Sequence, residues 1–193
     1  MAQRILYLVR HGQYDSQTRT ADKLGGRLTE LGRTQARLTA ERLRNLPIAT
    51  IHHSTLRRAS ETANIIATAV DAVPLRPARV LWECLPCIPP HLTQQFAHLS
   101  EAVIERDALQ AERAFERYFK AAAQVTRHEI IVCHGNIIRY LVCRALQVPI
   151  ESWANTDIHN CGISEVAIES DGRMMLISHN DTGHLPYDLR TFV

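Results

Sequence analysis

The sequence predicts a three-layer α/β/α sandwich: a mostly parallel sheet with an antiparallel edge strand, in one domain over residues 1–193. Three observations carry this. Short apolar runs alternate with segments whose apolar residues recur at helical spacing, each run ends in a polar loop, and the chain closes on a hairpin pattern. In such sheets ligands bind beyond the carboxyl ends of the strands, so those exits are where functional residues are to be sought.

Ile5 to Val9 is bounded by Arg4 and by Arg10-His11-Gly12 and reads as a buried strand. Thr29 can cap a helix over Glu30 to Asn45, with Ala36, Ala40 and Leu43 on its inner face. Ile48 to His53 is a second strand, followed by a helix with Ala59, Ala63, Ile66 and Val70 facing the core. Five prolines between Pro74 and Pro90 break any long element and leave a short strand near Val80 to Trp82. Phe96, Leu99, Val103, Phe115, Phe119 and Ala122 mark a long helical region bent or broken near Asp107. Glu129 to Cys133 is a strongly apolar strand, His134-Gly135-Asn136 a turn, and Ile138, Leu141, Val142 and Ala145 a helix face. Strands Ser164 to Ile168 and Met174 to Ser178, joined by Ser170-Asp171-Gly172, close the chain.

Composition excludes several classes. Hydrophobic residues make up 46% and charged ones 22%, enough apolar material for a core and unlike a disordered chain. There is no apolar run of membrane-spanning length. The net charge of +2, from 22 basic and 20 acidic residues, is too balanced for a nucleic-acid groove built on bulk electrostatics. Five scattered cysteines, Cys84, Cys87, Cys133, Cys143 and Cys161, point to free thiols in a reducing compartment. The Cys84 and Cys87 pair has redox or zinc spacing without a second such pair to support it. The first strand follows Met1 almost at once with no signal-peptide flank, so a cytoplasmic location is expected.

Three strand exits present Arg10 with His11, Arg57 and Arg58 shortly after Ser54, and His134. Neighbouring strands lie close enough for these exits to meet in one pocket. Two imidazoles and at least two guanidiniums there describe an anion site, and the helix that starts after His134 adds free N–H groups and a positive dipole end. Singly, each residue has an ordinary structural reading; their joint placement is what favours chemistry.

The segments Arg10-His11-Gly12, Leu28-Thr29 with Gly32 and Gln35-Ala36, Ser54 with Arg58-Ala59 and Thr62-Ala63, Glu83 after Leu81-Trp82, and Val132-Cys133-His134-Gly135 resemble, in order, the signatures of the histidine phosphatase superfamily, with its phosphoglycerate-mutase-like fold. Gln13-Tyr14, the run from Cys133 to Gln147, and Asp181-Thr182-Gly183 are most similar to its mitochondrial serine/threonine protein phosphatase group. The resemblance implies a phosphatase in which His11 is the nucleophile and passes through a phosphohistidine. Arg10, Arg58 and His134 would hold the phosphoryl group, Glu83 would donate the proton, and Gln13 and Tyr14 would recognise substrate. Fixed arginines then neutralise the charge, so no metal or other cofactor is expected.

The expected partner is a phosphorylated substrate, a phosphoprotein or a small phosphomonoester, with neither nucleic acid nor membrane. Small-molecule phosphatase or phosphoglycerate mutase is the alternative; Tyr14 where mutases carry serine and the short, mixed-charge segment Thr93 to Gln124 disfavour the mutase, while a small phosphomonoester and a phosphoprotein both suit the pocket. A non-catalytic phosphoprotein-binding scaffold is a third reading. His52 and His53 could shape the pocket rim, His159, Asn160 and Cys161 could line the site, and Leu185, Pro186, Leu189 and Phe192 could pack on a second copy of the chain as a homodimer or equally on their own domain.

Overall fold

The computed structural model describes residues 2–16, 24–70 and 73–192. It contains β1 (Arg4–Arg10), α1 (Glu30–Leu43), β2 (Ile48–Ser54), α2 (Arg57–Ala67), β3 (Leu75–Ala78), α3 (Glu101–Tyr118), β4 (Arg127–Cys133), α4 (Gly135–Leu146), β5 (Ile163–Ile168) and β6 (Met174–Asp181). The six strands form one sheet in the order β3-β2-β4-β1-β5-β6. From β3 to β1 all pairings are parallel, while β5 is antiparallel to both β1 and β6. The reversed strand is thus β5, one place in from the edge.

Strand alternation sends side chains to both faces. Leu6 and Leu8 pack with Ala111, Ala114 and Tyr118 of α3 and with Ile137, Ile138 and Leu141 of α4. Ile5, Tyr7 and Val9 pack on the other side with Ala40 and Leu43 of α1 and Ala59, Ala63 and Ile66 of α2. Burial on both faces explains why β1 and β4 read as continuous apolar runs. No helix among the described residues is long and apolar enough to cross a membrane.

Two sequence expectations are corrected. The strand expected at Val80 to Trp82 lies earlier, at β3, and Arg79–Leu81 form a 3₁₀ turn instead. Pro77 is tolerated in β3 because this is an edge strand, where a missing N–H leaves no ladder bond unmade. The helical region is unbroken at Asp107, since α3 runs from Glu101 to Tyr118. Asp107 tethers rather than breaks: its Oδ2 accepts from the Leu85 N–H at 2.8 Å. Phe96 and Leu99 belong to turns ahead of the helix.

Thr29 caps α1 as expected, its Oγ1 accepting from the Gly32 N–H at 3.0 Å. The first turn of α1 packs directly against the loop after β1. A Cβ on Gly32 would stand 1.9 Å from the Gln13 carbonyl oxygen, and one on Gly12 would stand 2.5 Å from the Gly32 carbonyl oxygen. Gly32→Ala is therefore expected to destabilise the fold by about 2–4 kcal/mol through forced backbone displacement. An unchanged denaturation midpoint for that variant would contradict this close approach.

Candidate active site

The sheet order sets β2, β4 and β1 side by side, so their carboxyl ends open together at one edge of the sandwich. β1 delivers Arg10 and His11, β4 delivers His134 at the N-cap of α4, and β2 passes through Ser54 to Arg58 in the first turn of α2. His11 and His134 are almost wholly buried, with ring centroids 5.0 Å apart.

The hydrogen bonds assign the state of His11. Its Nδ1 lies 2.8 Å from the Gly12 carbonyl oxygen, which can only accept, so Nδ1 carries the proton. Nε2 is left with its lone pair, and the Arg58 Nε–H donates to it at 3.1 Å. Burial foremost, with the Arg58 and Arg10 charges, pushes the His11 pKa well below its usual value, against the opposing pull of the Gly12 bond. The imidazole is neutral at pH 7, with one nitrogen held by backbone and the other presented among guanidiniums.

His134 is likewise lowered, mainly by burial and then by His11, Arg58 and Arg10. Its Nε2 is 2.8 Å from the Ser54 hydroxyl, while its buried Nδ1 has no partner among the described residues. Arg10 donates through Nη1 to the Ile158 carbonyl at 2.6 Å, and its buried Nε is unpartnered in the same sense. Buried polar atoms seldom stay unpaired, so the Arg10 Nε–H is suited to an anion's oxygen, as is His134 Nδ1 in the tautomer in which Ser54 donates to Nε2.

Glu83 completes the cluster. Its Oε1 accepts from the N–H groups of Cys84 and Asn136 at 3.2 Å and of Ile137 at 3.4 Å, which ties the carboxyl to the first turn of α4. Protein atoms crowding the carboxyl raise its pKa, outweighing the lowering by Arg58, Arg10 and those N–H groups. The residue as a whole is exposed at the mouth, which tempers the shift without changing its sign. A carboxyl whose pKa is raised near an imidazole whose pKa is lowered divides acid from nucleophile within one site.

Tyr14 meets the His11 ring edge-on at 5.3 Å and lies beneath the Arg58 guanidinium at 4.6 Å, so it walls the pocket. Gln13 uses its side-chain oxygen to accept from the Thr29 hydroxyl at 2.8 Å, which turns it toward the cap of α1. His52 is turned toward the opposite end of the sheet, its Nε2 3.7 Å from Glu129, and His53 is buried with Nδ1 on the Ser54 carbonyl. His159 stacks on Phe192 at 3.8 Å. All five cysteines are free thiols, and among the described residues no group of three or more His, Cys, Asp or Glu side chains is placed to hold a metal ion.

Of the residues that hold the nucleophile loop, the sequence placed only Asn160 at the site and attached no role to Gln35, Thr62 or Thr191. The Thr62 hydroxyl accepts from the Gly12 N–H at 3.0 Å, the Gln35 Oε1 accepts from the Gln13 N–H at 2.8 Å, and Asn160 donates to the His11 carbonyl at 3.1 Å. Thr191 in turn donates to Asn160 Oδ1 at 2.9 Å and accepts from Gln35 at 2.9 Å. Gln35 and Thr62 were visible as polar residues on otherwise apolar helix faces. The Asn160 and Thr191 contacts span too much chain to be read locally.

Known proteins place this geometry. The profile of the histidine phosphatase superfamily (branch 1) matches residues 6–85 and 91–182. A Caenorhabditis briggsae protein named serine/threonine-protein phosphatase Pgam5, mitochondrial, is 36% identical over 95% of this chain and 65% of its own length. The Homo sapiens protein of that name is 35% identical over 97% of this chain and 65% of its own length. The chain thus spans slightly less than two thirds of these relatives. A Plasmodium falciparum phosphoglycerate mutase superposes with a TM-score of 0.67 at 28% identity, covering 97% of this chain and 96% of that one. The cytoplasmic location expected from the sequence is overturned by these relatives, which are named as mitochondrial; that expectation weighed only a secretory signal peptide, which is not a mitochondrial address. With its five signature segments gathered around one pocket and the profile matched from β1 to β6, the chain belongs to the histidine phosphatase superfamily.

Proposed function

We propose that this chain is a phosphatase that hydrolyses phosphomonoesters through a phosphohistidine on His11, with proteins phosphorylated on serine or threonine as its substrates, and that residues 1–193 act as one catalytic domain. The observation that carries the reading is the fixed tautomer of His11, its Nδ1 held by the Gly12 carbonyl and its Nε2 beside Arg58. The substrate class is supported by the names of the relatives.

In the first step His11 Nε2 attacks phosphorus, the P–O bond to the leaving group breaks, and Glu83 gives that oxygen its proton. Arg10 and Arg58 neutralise the equatorial oxygens, the task that a metal ion serves in other phosphoryl-transfer sites, and His134 adds a hydrogen bond from a neutral ring. In the second step Glu83, now a carboxylate, takes a proton from water, the water oxygen bonds to phosphorus, and the P–N bond breaks to release phosphate. Tyr14 packs against the ring and guanidinium, so substrate enters past an aromatic wall. The presence of both His11 and Glu83 in acting positions disfavours a silent scaffold.

Hydrolysis of p-nitrophenyl phosphate is expected to persist in chelator and to stop with vanadate. Quenching during turnover should yield a phosphoenzyme stable in base and labile in acid, mapping to His11. Phosphoserine or phosphoaspartate in that trap, or loss of turnover on chelation, would overturn the reading. Comparing phosphothreonine peptides with 3-phosphoglycerate and sugar phosphates decides the substrate class, and preference for the small acids would favour the mutase-like or small-molecule alternative.

A further inference from the structure

Beside the pocket, α3 and the turn Arg79–Leu81 enclose a trench of about 360 Å³ lined by Arg79, Val80, Arg106, Gln110 and Arg113. Arg106, Gln110 and Arg113 fall on one face of α3 at i, i+4 and i+7, and Arg79 faces them from the turn. Resting on the phosphoprotein reading above, we propose that this trench binds acidic side chains flanking the phosphorylated residue, so that the preferred substrates are phosphopeptides rich in aspartate and glutamate.

Charge supports this. The chain as a whole is nearly balanced at +2, yet three exposed guanidiniums converge here. Arg106 bonds its neighbour Asp107 through Nη2 at 2.8 Å, and that carboxylate is already occupied by the Leu85 N–H. Arg79 and Arg113 have no carboxylate partner among the described residues; Arg79 lies over the Trp82 ring at 5.7 Å. Some helix arginines are paired, as Arg33 is with Glu30 on α1 and Arg144 of α4 with Glu112 of α3, while Arg37 and Arg117, like Arg79 and Arg113, have no carboxylate partner among the described residues; what sets Arg79 and Arg113 apart is that they face one trench. Two unpaired forks facing one trench are suited to carboxylates, which they grip bidentately.

The trench is also joined to the chemistry. Gln110 donates to the Trp82 carbonyl at 2.9 Å, fastening α3 to the residue before Glu83, and the Trp82 indole N–H donates to the Thr55 hydroxyl at the start of the segment that carries Arg58. Glu83 stands four positions after Arg79, a span of at most about 14 Å. An extended peptide advances about 3.3 Å per residue, so side chains two to four positions from the phosphorylated residue reach the guanidiniums.

The test uses three phosphothreonine peptides with aspartate, alanine or lysine at positions two to four on each side, with p-nitrophenyl phosphate as a substrate too small to reach the trench. The aspartate peptide is expected to exceed the alanine peptide by about fivefold in kcat/KM, two exposed charge pairs being worth about that factor. In the Arg79→Glu/Arg113→Glu double variant the order should reverse, with p-nitrophenyl phosphate turnover unchanged. Equal turnover of all peptides by the wild-type protein, or a preference that survives the double variant, sinks the trench while the phosphatase reading stands. Hydrolysis of p-nitrophenyl phosphate without hydrolysis of any peptide also sinks it, and confines the enzyme to small substrates. No turnover of anything removes the phosphatase reading and the trench with it.

Discussion

His11→Ala is expected to lower kcat on every phosphomonoester by about 10⁴-fold or more, since it removes the imidazole whose Nε2 forms the covalent intermediate. Arg10, Arg58 and His134 would remain, so phosphate or vanadate should still bind the variant, and the loss should fall on kcat rather than on affinity. The alternative nucleophile by proximity is His134, whose ring lies 5.0 Å from His11. No backbone carbonyl among the described residues fixes its Nδ1 as Gly12 fixes that of His11, which disfavours that role. A phosphoenzyme still trapped in His11→Ala would reassign the nucleophile. The denaturation midpoint separates chemical loss from unfolding, because the deleted ring is buried.

Glu83→Gln is the second large effect, expected at about 10²- to 10⁴-fold in kcat on alkyl phosphates, the range that a lost proton donor costs. Aryl phosphates, whose leaving groups depart without a proton, should lose much less in the first step. The pH profile carries the sign. Glu83 must be protonated to act, and burial raises its pKa above the usual carboxylate value, so kcat/KM falls as pH rises through that raised value. His11 must be neutral, and its lowered pKa keeps it so down to well below pH 6.5, so the acid-side loss is displaced to low pH. The Gln variant should lose the basic limb. A variant that retains the same basic limb shows that another group, or the substrate's own phosphate, titrates there.

Legibility of the site followed locality. His11, Arg58 and His134 were found because each stands where an apolar run ends, and a strand end needs no tertiary information to be recognised. Glu83 was reached only through its resemblance to a known motif, since the proline-rich stretch around it shows no periodicity. That same stretch produced the misplaced strand: Pro77 within β3 is compatible only with an edge position, which depends on the order of strands in the sheet. Asp107 suggested a helix break by its intrinsic preference, and the Leu85 N–H overrode that preference. Gln13 looked like a substrate contact from its neighbourhood to His11, and Thr29 drew its side-chain oxygen to the start of α1.

From the amino-acid order alone followed the three-layer class, the strand ends that carry the cations and imidazoles, and the family. Those properties are written in hydrophobic periods of two and 3.6 residues and in short motifs. Only the folded chain decided which nitrogen of His11 carries the proton, that Asn160 and Thr191 brace its backbone, and that arginines from a turn and from α3 share a trench. Hydrogen bonds and burial depend on distance in space, and distance in space is set by strand order and helix packing rather than by neighbours along the chain.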